Sequence, residues 1–124
     1  MQVHVIKSDD GESIERSDAE IFEGGQVWGR ALTDSLSNHT SVSVVQFAPG
    51  ARAGWHTHTG DQVLYVVSGI GKVGDRDGER VISAGDCAVV PAHIEHWHGS
   101  HDTGSPMTHL SIIPVGSETT VIEE

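Results

Sequence analysis

Two histidines separated by one residue are the first feature of this sequence that could do chemistry. His56 and His58 lie in the stretch GARAGWHTHTG. On an extended strand, residues two apart project to the same face, so both imidazoles point one way while Trp55 and Thr57 point the other. Two imidazole nitrogens on one face can share a metal ion. The pair therefore predicts part of a metal site.

Further donors follow along the chain. The turn residues 59–61 come next, and Gln62 then opens an apolar strand, which makes a hairpin with candidate ligands on both arms. A second segment turns at residues 85–86, extends, and is stopped by Pro91. His96 follows this stop, so it can supply one more nitrogen from a distant strand.

The two segments resemble the two sequence motifs of the cupin superfamily. In order, the motif residues are Gly50, His56, His58, Gln62 and Gly69, and then Gly85, Pro91, His93 and His96. Cupins are small β-barrels that bind one divalent metal through three histidines and one glutamate. The resemblance implies an all-β, antiparallel barrel or jelly roll with His56, His58, Gln62 and His96 as the metal ligands.

This chain departs from the usual motifs at three positions. Gln62 stands where the motif has glutamate, His93 where it has glycine, and Ser100 where it often has asparagine. The combination of PGARAGWHTH, Gln62, HWHG and residues 107–110 is similar to small bacterial manganese-dependent cupins with hydroxynitrile lyase activity, which also use three histidines and a glutamine. This closer resemblance implies manganese as the cofactor, with iron, zinc, nickel and cobalt as alternatives.

The replacement by Gln62 has a consequence for charge. Three neutral imidazoles and a neutral amide leave the full +2 charge of a divalent ion uncompensated, where a glutamate ligand would reduce it to +1. We therefore expect the open coordination positions to favour anions such as cyanide or carboxylate. We also expect the metal to be harder to oxidise than the metal of a usual cupin site.

Acid–base chemistry beside such a metal needs a proton acceptor, and histidine is suited to that task near neutral pH. The resemblance implies this role for His109 in the stretch MTHL. His98, two residues after His96 and on the same face of its strand, is the second candidate. Arg52, on the strand that enters the site, is a candidate for orienting an anion or else a solvated charge at the rim.

The leading functional hypothesis is a metal-dependent lyase acting on a carbonyl adduct such as a cyanohydrin, with the anion held by the metal and the proton taken by His109. The alternatives are a cyclase or isomerase, a dioxygenase, and a non-catalytic module that binds a small ligand.

Composition limits the partners. With 7 basic and 18 acidic residues, the formal charge of −11 argues against nucleic acid and anionic membranes and leaves a small molecule as the substrate, an anionic one included. The single Cys87 excludes an internal disulfide and fits a reducing compartment; we expect it to be buried. The start MQVHVIKSDD has no apolar signal region, so the expected location is the cytoplasm.

The sequence predicts nine or ten short strands that position these residues. They form one domain over residues 1–124, with 1–40 as an N-terminal arm and edge strands. Residues 2–6 alternate as a short strand, and strands are also predicted over 87–90 and 107–114. The apolar run 63–67 is expected to end at a turn at Ser68-Gly69. By analogy with cupins, we expect a homodimer or a higher homo-oligomer.

Overall fold

A computed structural model describes residues 2–122, whose regular elements are eleven β-strands and one short 3₁₀ helix. Every strand pairing is antiparallel. The strands are β1 Ile14–Glu15, β2 Phe22–Glu23, β3 Val27–Ala31, β4 Thr40–Phe47, β5 Arg52–His58, β6 Gln62–Asp75, β7 Gly78–Ser83, β8 Cys87–Val90, β9 His96–Ser100, β10 Met107–Pro114 and β11 Thr119–Val121. A short 3₁₀ helix, Asp34–Leu36, joins β3 to β4. Within the described residues, no helix is long and apolar enough to cross a membrane. The predicted all-β antiparallel barrel is confirmed.

The barrel is made of two sheets that share the long strand β6. The first half of β6 pairs with β8 and β10, and β10 continues through β4 and β3 to β1. The second half of β6 pairs with β7 and β9, and β9 continues through β5 to β11 and β2. We call these the first sheet and the second sheet. Because the two sheets curl around one interior, their inner faces meet there.

The expected turn at Ser68-Gly69 is wrong, since β6 runs through this point without reversing. Gly69 has a φ of +81°, and the pairing of β6 with β10 shifts register between Thr108 and His109. A Cβ on Gly69 would lie 1.9 Å from the carbonyl oxygen of Pro106, so this position admits only glycine. The glycine therefore bends the strand from one sheet into the other, as β-bulges commonly do.

The interior is apolar at one end and rich in histidine at the other. A hydrophobic cluster contains Val27, Phe47, Ala51, Ala53, Val66, Ile82 and Met107. The buried polar side chains include five histidines together with Gln62 and Ser100. A core that buries five imidazoles in so small a barrel is costly unless they have partners or bind a ligand.

Two further expectations differ from the structure. Residues 2–7 form no strand, and Val3 and Val5 are exposed, because this segment has no neighbouring strand to pair with in the chain. Cys87 is exposed rather than buried, because its position on β8 is opposite in parity to the buried Val90 and faces outward. The predicted strands over 87–90 and 107–114 have the same bounds in the structure.

Candidate metal centre

Three histidines from two neighbouring strands come together inside the barrel. His56 and His58 lie on β5, and His96 is the partner of His56 in the register between β5 and β9. The ring centroids of His56 and His96 are 4.1 Å apart, and those of His56 and His58 are 4.8 Å apart. One ring nitrogen of each histidine lies within 4.8 Å of the others, and all three residues are buried. The three rings can hold a metal ion.

Hydrogen bonds at Nδ1 set the orientation of these rings. His56 donates to the carbonyl oxygen of Gly54 at 2.5 Å, and His96 donates to that of Ile94 at 2.9 Å. Because a carbonyl can only accept, Nδ1 carries the proton in both rings and Nε2 keeps its lone pair. The Nδ1 of His58 lies 2.8 Å from the hydroxyl oxygen of Thr119. A histidine that binds a metal through one ring nitrogen usually makes such a hydrogen bond with the other nitrogen.

Burial keeps the three rings neutral. Desolvation is the largest cause that lowers the pKa of His56 to about 3, and the neighbouring His96 and His58 lower it further. Desolvation and then His96 lower the pKa of His58 to about 4. The pKa of His96 is lowered for the same first reason. Neutral imidazole is the form that binds a metal, so the site does not have to lose protons at pH 7 to accept one.

Gln62 lies at the start of β6 with its side chain buried beside this cluster. Its Nε2 donates to the hydroxyl oxygen of Ser111 on β10 at 2.9 Å. The Gln62 side chain also interacts with His58, where it partly offsets the lowering of that pKa. With its amide nitrogen held by Ser111, Gln62 offers its oxygen as the remaining donor.

Several buried lone pairs in this cluster lack a partner. Nε2 of His58, Nε2 of His96 and Oε1 of Gln62 are buried and make no hydrogen bond. An unsatisfied buried polar atom costs about 1–3 kcal/mol, so three beside one another need an explanation. The Nε2 of His96 and the Oε1 of Gln62 are electron-pair donors, and so is the Nε2 of His58 when its Nδ1 carries the proton, so a cation is the group that satisfies them together. The residues therefore fit a divalent metal ion, with open positions for a further ligand.

Two more buried histidines extend from this cluster toward the apolar end of the barrel. The His98 ring centroid lies 5.4 Å from that of His56, 5.8 Å from that of His96, and 5.1 Å from that of His109. His98 thus lies between the ligand cluster and His109. Phe47 packs against both rings, with centroids 5.8 Å from His98 and 5.4 Å from His109.

Three of the four ring nitrogens of these two histidines are buried and lack a hydrogen-bond partner. Nδ1 of His98 and both ring nitrogens of His109 are buried without a hydrogen bond of normal geometry. Burial lowers the pKa of His109 to about 4, against a smaller opposing effect of the Leu110 backbone. Burial, followed by His109 and then His56, also holds the pKa of His98 well below its usual value. Both rings are therefore neutral at pH 7 and have lone pairs available for a proton.

Arg52 does not face this site. Its guanidinium lies 4.4 Å from the ring centroid of Trp97 on the outside of the second sheet, and its Nε is 3.7 Å from a carboxylate oxygen of Glu23. The pairing of β5 with β9 is irregular between Ala53 and His56, and this irregularity reverses the alternation of side chains before His56. Of the two interpretations of Arg52, the structure favours the partly exposed charge outside the site over the anion-orienting residue.

The loop that leads to His96 is held against the β5–β6 turn. The amide of Ala92 donates to Asp61 Oδ1 at 2.8 Å, and the amide of His93 donates to the carbonyl oxygen of His58 at 2.8 Å. His93 has a φ of +69°, a conformation that favours glycine. This explains why a glycine is usual at the position.

Sequence reasoning missed two residues that contact the candidate ligands, Ser111 and Thr119. Ser111 is two residues from His109, so strand alternation would have placed it on the same inner face. Thr119 belongs to a three-residue strand whose place beside β5 has no local signal in the sequence.

The fold and the cluster define a small antiparallel β-barrel with a candidate metal centre in its interior. Residues 43–113 match the family model described as Cupin domain (Cupin_2). The chain therefore belongs to the cupin family, and the predicted family is confirmed.

Comparisons with individual proteins agree with this membership. Over 70 residues the chain is 44% identical to an (R)-mandelonitrile lyase of Granulicella tundricola; the match covers 55% of this chain and 52% of that protein, or about half of its length. The crystal structure of a cupin-like protein from Thermotoga maritima is 31% identical, with a TM-score of 0.76 over 89% of this chain and 86% of that one. The polyketide cyclase RemF from Streptomyces resistomycificus has a TM-score of 0.79 over 99% and 89% of the two chains at 14% identity, and shares the fold alone.

Proposed function

We propose that this protein is a divalent-metal-dependent lyase that cleaves a carbonyl adduct such as a cyanohydrin. The observation that carries the proposal is the donor set of three buried histidines and a glutamine, with two further unpaired histidines beside it. The similarity to a protein named (R)-mandelonitrile lyase supports it. His56, His58, Gln62 and His96 are the proposed ligands, and we propose manganese as the resident ion, because the amide oxygen suits it.

A bound divalent ion would supply Lewis-acid stabilisation of the developing anion. His109 accepts the proton of the substrate hydroxyl in this proposal, since burial leaves its ring neutral and both nitrogens lack a partner. His98 lies between the ligands and His109, so it is the second candidate for the same proton. Phe47 packs on both rings, at centroid distances of 5.8 Å from His98 and 5.4 Å from His109.

A groove of about 630 Å³ between β7 and β8 reaches His96 and has room for a small substrate. Its lining includes the acidic residues Asp75, Asp77, Glu79 and Asp86, and a single arginine, Arg80. This charge disfavours the entry of an anion. It supports a neutral adduct as the substrate, from which the anion is formed only at the site.

The test is cyanide release from (R)-mandelonitrile by the manganese-loaded protein. We expect His109→Ala to lower kcat by about 100-fold or more, the usual contribution of a positioned base. His39→Ala, which removes an exposed histidine outside both motifs, serves as the control and should retain full activity. Wild-type protein that releases cyanide no faster than His109→Ala would reject the lyase. Binding of metal and cyanide without turnover would instead support a non-catalytic module.

We also propose that the protein works in the cytoplasm as a homodimer. A cysteine that is exposed and free fits a reducing compartment. The outer face of the first sheet exposes Tyr65 and Val67 of β6 next to Val89 of β8, and such an apolar patch suits a second copy of the chain.

Sedimentation of two variants tests the dimer. Val67→Lys places a charge in the patch and should yield monomers. Val81→Lys introduces the same charge at an exposed valine of β7 in the second sheet and should leave the dimer intact. A wild-type monomer, or equal sedimentation of both variants, would contradict the proposed face.

A further inference from the structure

Residues 117–122 lie along the outer edge of β5, the strand that carries His56 and His58. Thr119 pairs with His58, and Val121 pairs with His56, in the register of β11 with β5. The amide of Thr59 donates to the carbonyl oxygen of Glu118 at 3.0 Å, and the amide of Ile122 donates to that of Trp55 at 2.9 Å. The segment thus lies along the whole part of β5 that carries the ligand pair.

The side chain of Thr119 adds a contact that differs from those of the other two ligand rings. The Nδ1 atoms of His56 and His96 are each held by a backbone carbonyl only two residues away. His58 has no such neighbour, and its Nδ1 contact is the Thr119 hydroxyl at 2.8 Å, 61 residues away in the chain. The orientation of this one ring therefore depends on a residue from the far end of the sequence, beyond the part that matches the family model.

We propose that Thr119 is a positioning residue of the metal centre. Its hydroxyl oxygen accepts the Nδ1 proton of His58, which leaves the lone pair on Nε2 and directs that atom toward His56 and His96. The inference rests on the proposed function only in taking the three histidines as ligands of a metal. It does not depend on the reaction or on the substrate.

Zinc affinity of the purified, metal-free protein gives the first test, with Zn²⁺ alone as the probe and a coloured chelator as the competitor. Thr119→Val removes the hydroxyl and keeps the size and β-branching of the side chain. We expect it to weaken zinc binding by about 10–100-fold, the usual effect of losing the outer partner of a ligand histidine. Thr119→Ser should restore the affinity to within about threefold, since it returns the acceptor.

Thr120→Val is the matched control. Thr120 is the next residue of the same strand, is exposed, and pairs with Thr57 rather than with a ligand. It tests whether any valine in β11 disturbs the pairing with β5. An equal loss of zinc affinity in Thr119→Val and Thr120→Val would overturn the proposal, and so would a Thr119→Val protein that binds zinc as the wild type does.

The tautomer of His58 gives a second readout that needs neither metal nor activity. In ¹⁵N spectra of the metal-free protein, wild type and Thr119→Ser should carry the ring proton on Nδ1, and Thr119→Val should show a mixture of both tautomers. An unchanged tautomer in Thr119→Val would contradict the role. If that variant does not fold, Thr119→Ala gives the same comparison. A wild type that binds no zinc would reject the proposed function, while the tautomer would still decide the role of Thr119.

Discussion

The buried histidines predict that the metal-free protein is destabilised by mild acid. The pKa of His56 is lowered to about 3 and those of His58 and His109 to about 4, in each case chiefly by burial. In the unfolded chain, each group titrates near 6.5. Unfolding therefore takes up protons below pH 6.5. The contribution of these neutral rings to the free energy of unfolding is complete above that pH and is lost as the pH falls toward their folded pKa values.

The magnitude follows from the same values. At pH 5, each of the three rings is almost fully protonated when unfolded and almost fully neutral when folded, so each lowers the free energy of unfolding by about 2 kcal/mol relative to pH 7.5. Together they contribute about 6 kcal/mol. His96 and His98 are shifted in the same direction and add to this loss. A domain of this size has a total stability of about 5–15 kcal/mol, so we expect unfolding between about pH 4 and 5.

Repulsion among the acidic residues opposes the histidine effect. The formal charge of −11 repels itself in the folded state, and protonation of carboxylates relieves that repulsion. Ordinary carboxyl groups titrate near pH 4, so this relief is small between pH 7.5 and 5. The histidine effect therefore dominates in that interval.

Urea denaturation in the presence of a chelator, at several pH values between 7.5 and 5, measures the effect. We expect a slope near pH 5 of at least about 4 kcal/mol per pH unit, which corresponds to about three protons taken up on unfolding. His109→Gln should lower the slope by the equivalent of about one proton taken up on unfolding, even if it lowers the overall stability. His39→Gln, at an exposed histidine, is the matched control for the substitution itself. A free energy of unfolding that stays constant or rises from pH 7.5 to 5 would refute the reasoning.

Three further predictions concern single positions. Gln62→Glu should raise the affinity for divalent metal by about tenfold or more, because affinity rises with ligand charge. The same substitution should weaken azide binding to the metal-loaded protein. Calorimetry measures both affinities, and tighter azide binding would contradict the charge argument. His93→Gly should stabilise the fold against urea by about 1 kcal/mol, since the φ of +69° is strained for histidine, and a loss of stability relative to wild type would argue against this strain. Gly69→Ala should cost about 3 kcal/mol or more, because its Cβ would meet the Pro106 carbonyl, whereas Gly104→Ala, at a similar φ in open space, should cost only about 1 kcal/mol; equal losses would exclude the clash as the cause.

Part of the candidate site was readable in the sequence because the spacing of His56 and His58 matches the geometry of a strand, whereas Gln62 and His96 were assigned through the resemblance to the cupin motifs. His56 and His58 share a face by simple alternation, and the strand bounds 87–90 and 107–114 follow from turn residues and apolar runs. The path of β6 was not readable, because Ser68-Gly69 has the composition of a turn. The close approach of the Pro106 carbonyl, which makes the glycine necessary, exists only after β10 has paired with β6.

The features that the sequence did not predict depend on contacts between residues that are distant along the chain. Thr119 meets His58 only because β11 adds to the edge of β5, a pairing that three residues of strand do not specify by themselves. The exposure of Cys87 depends on which face of β8 is turned inward, and a four-residue strand of small and apolar residues leaves that choice open. In both cases the missing information is tertiary and not local.

The position of Arg52 shows what brings the candidate ligands to the inner face. Ala53 and His56 are three residues apart, so regular alternation would place them on opposite faces, yet both are buried inside the barrel. The irregularity in the pairing of β5 with β9 lies between them and reverses the alternation, which leaves Arg52 outside and both histidines inside. Gly54 lies in this irregularity, and its carbonyl accepts the Nδ1 proton of His56. One local distortion of the strand therefore both directs the ligand pair inward and fixes the tautomer of its first member.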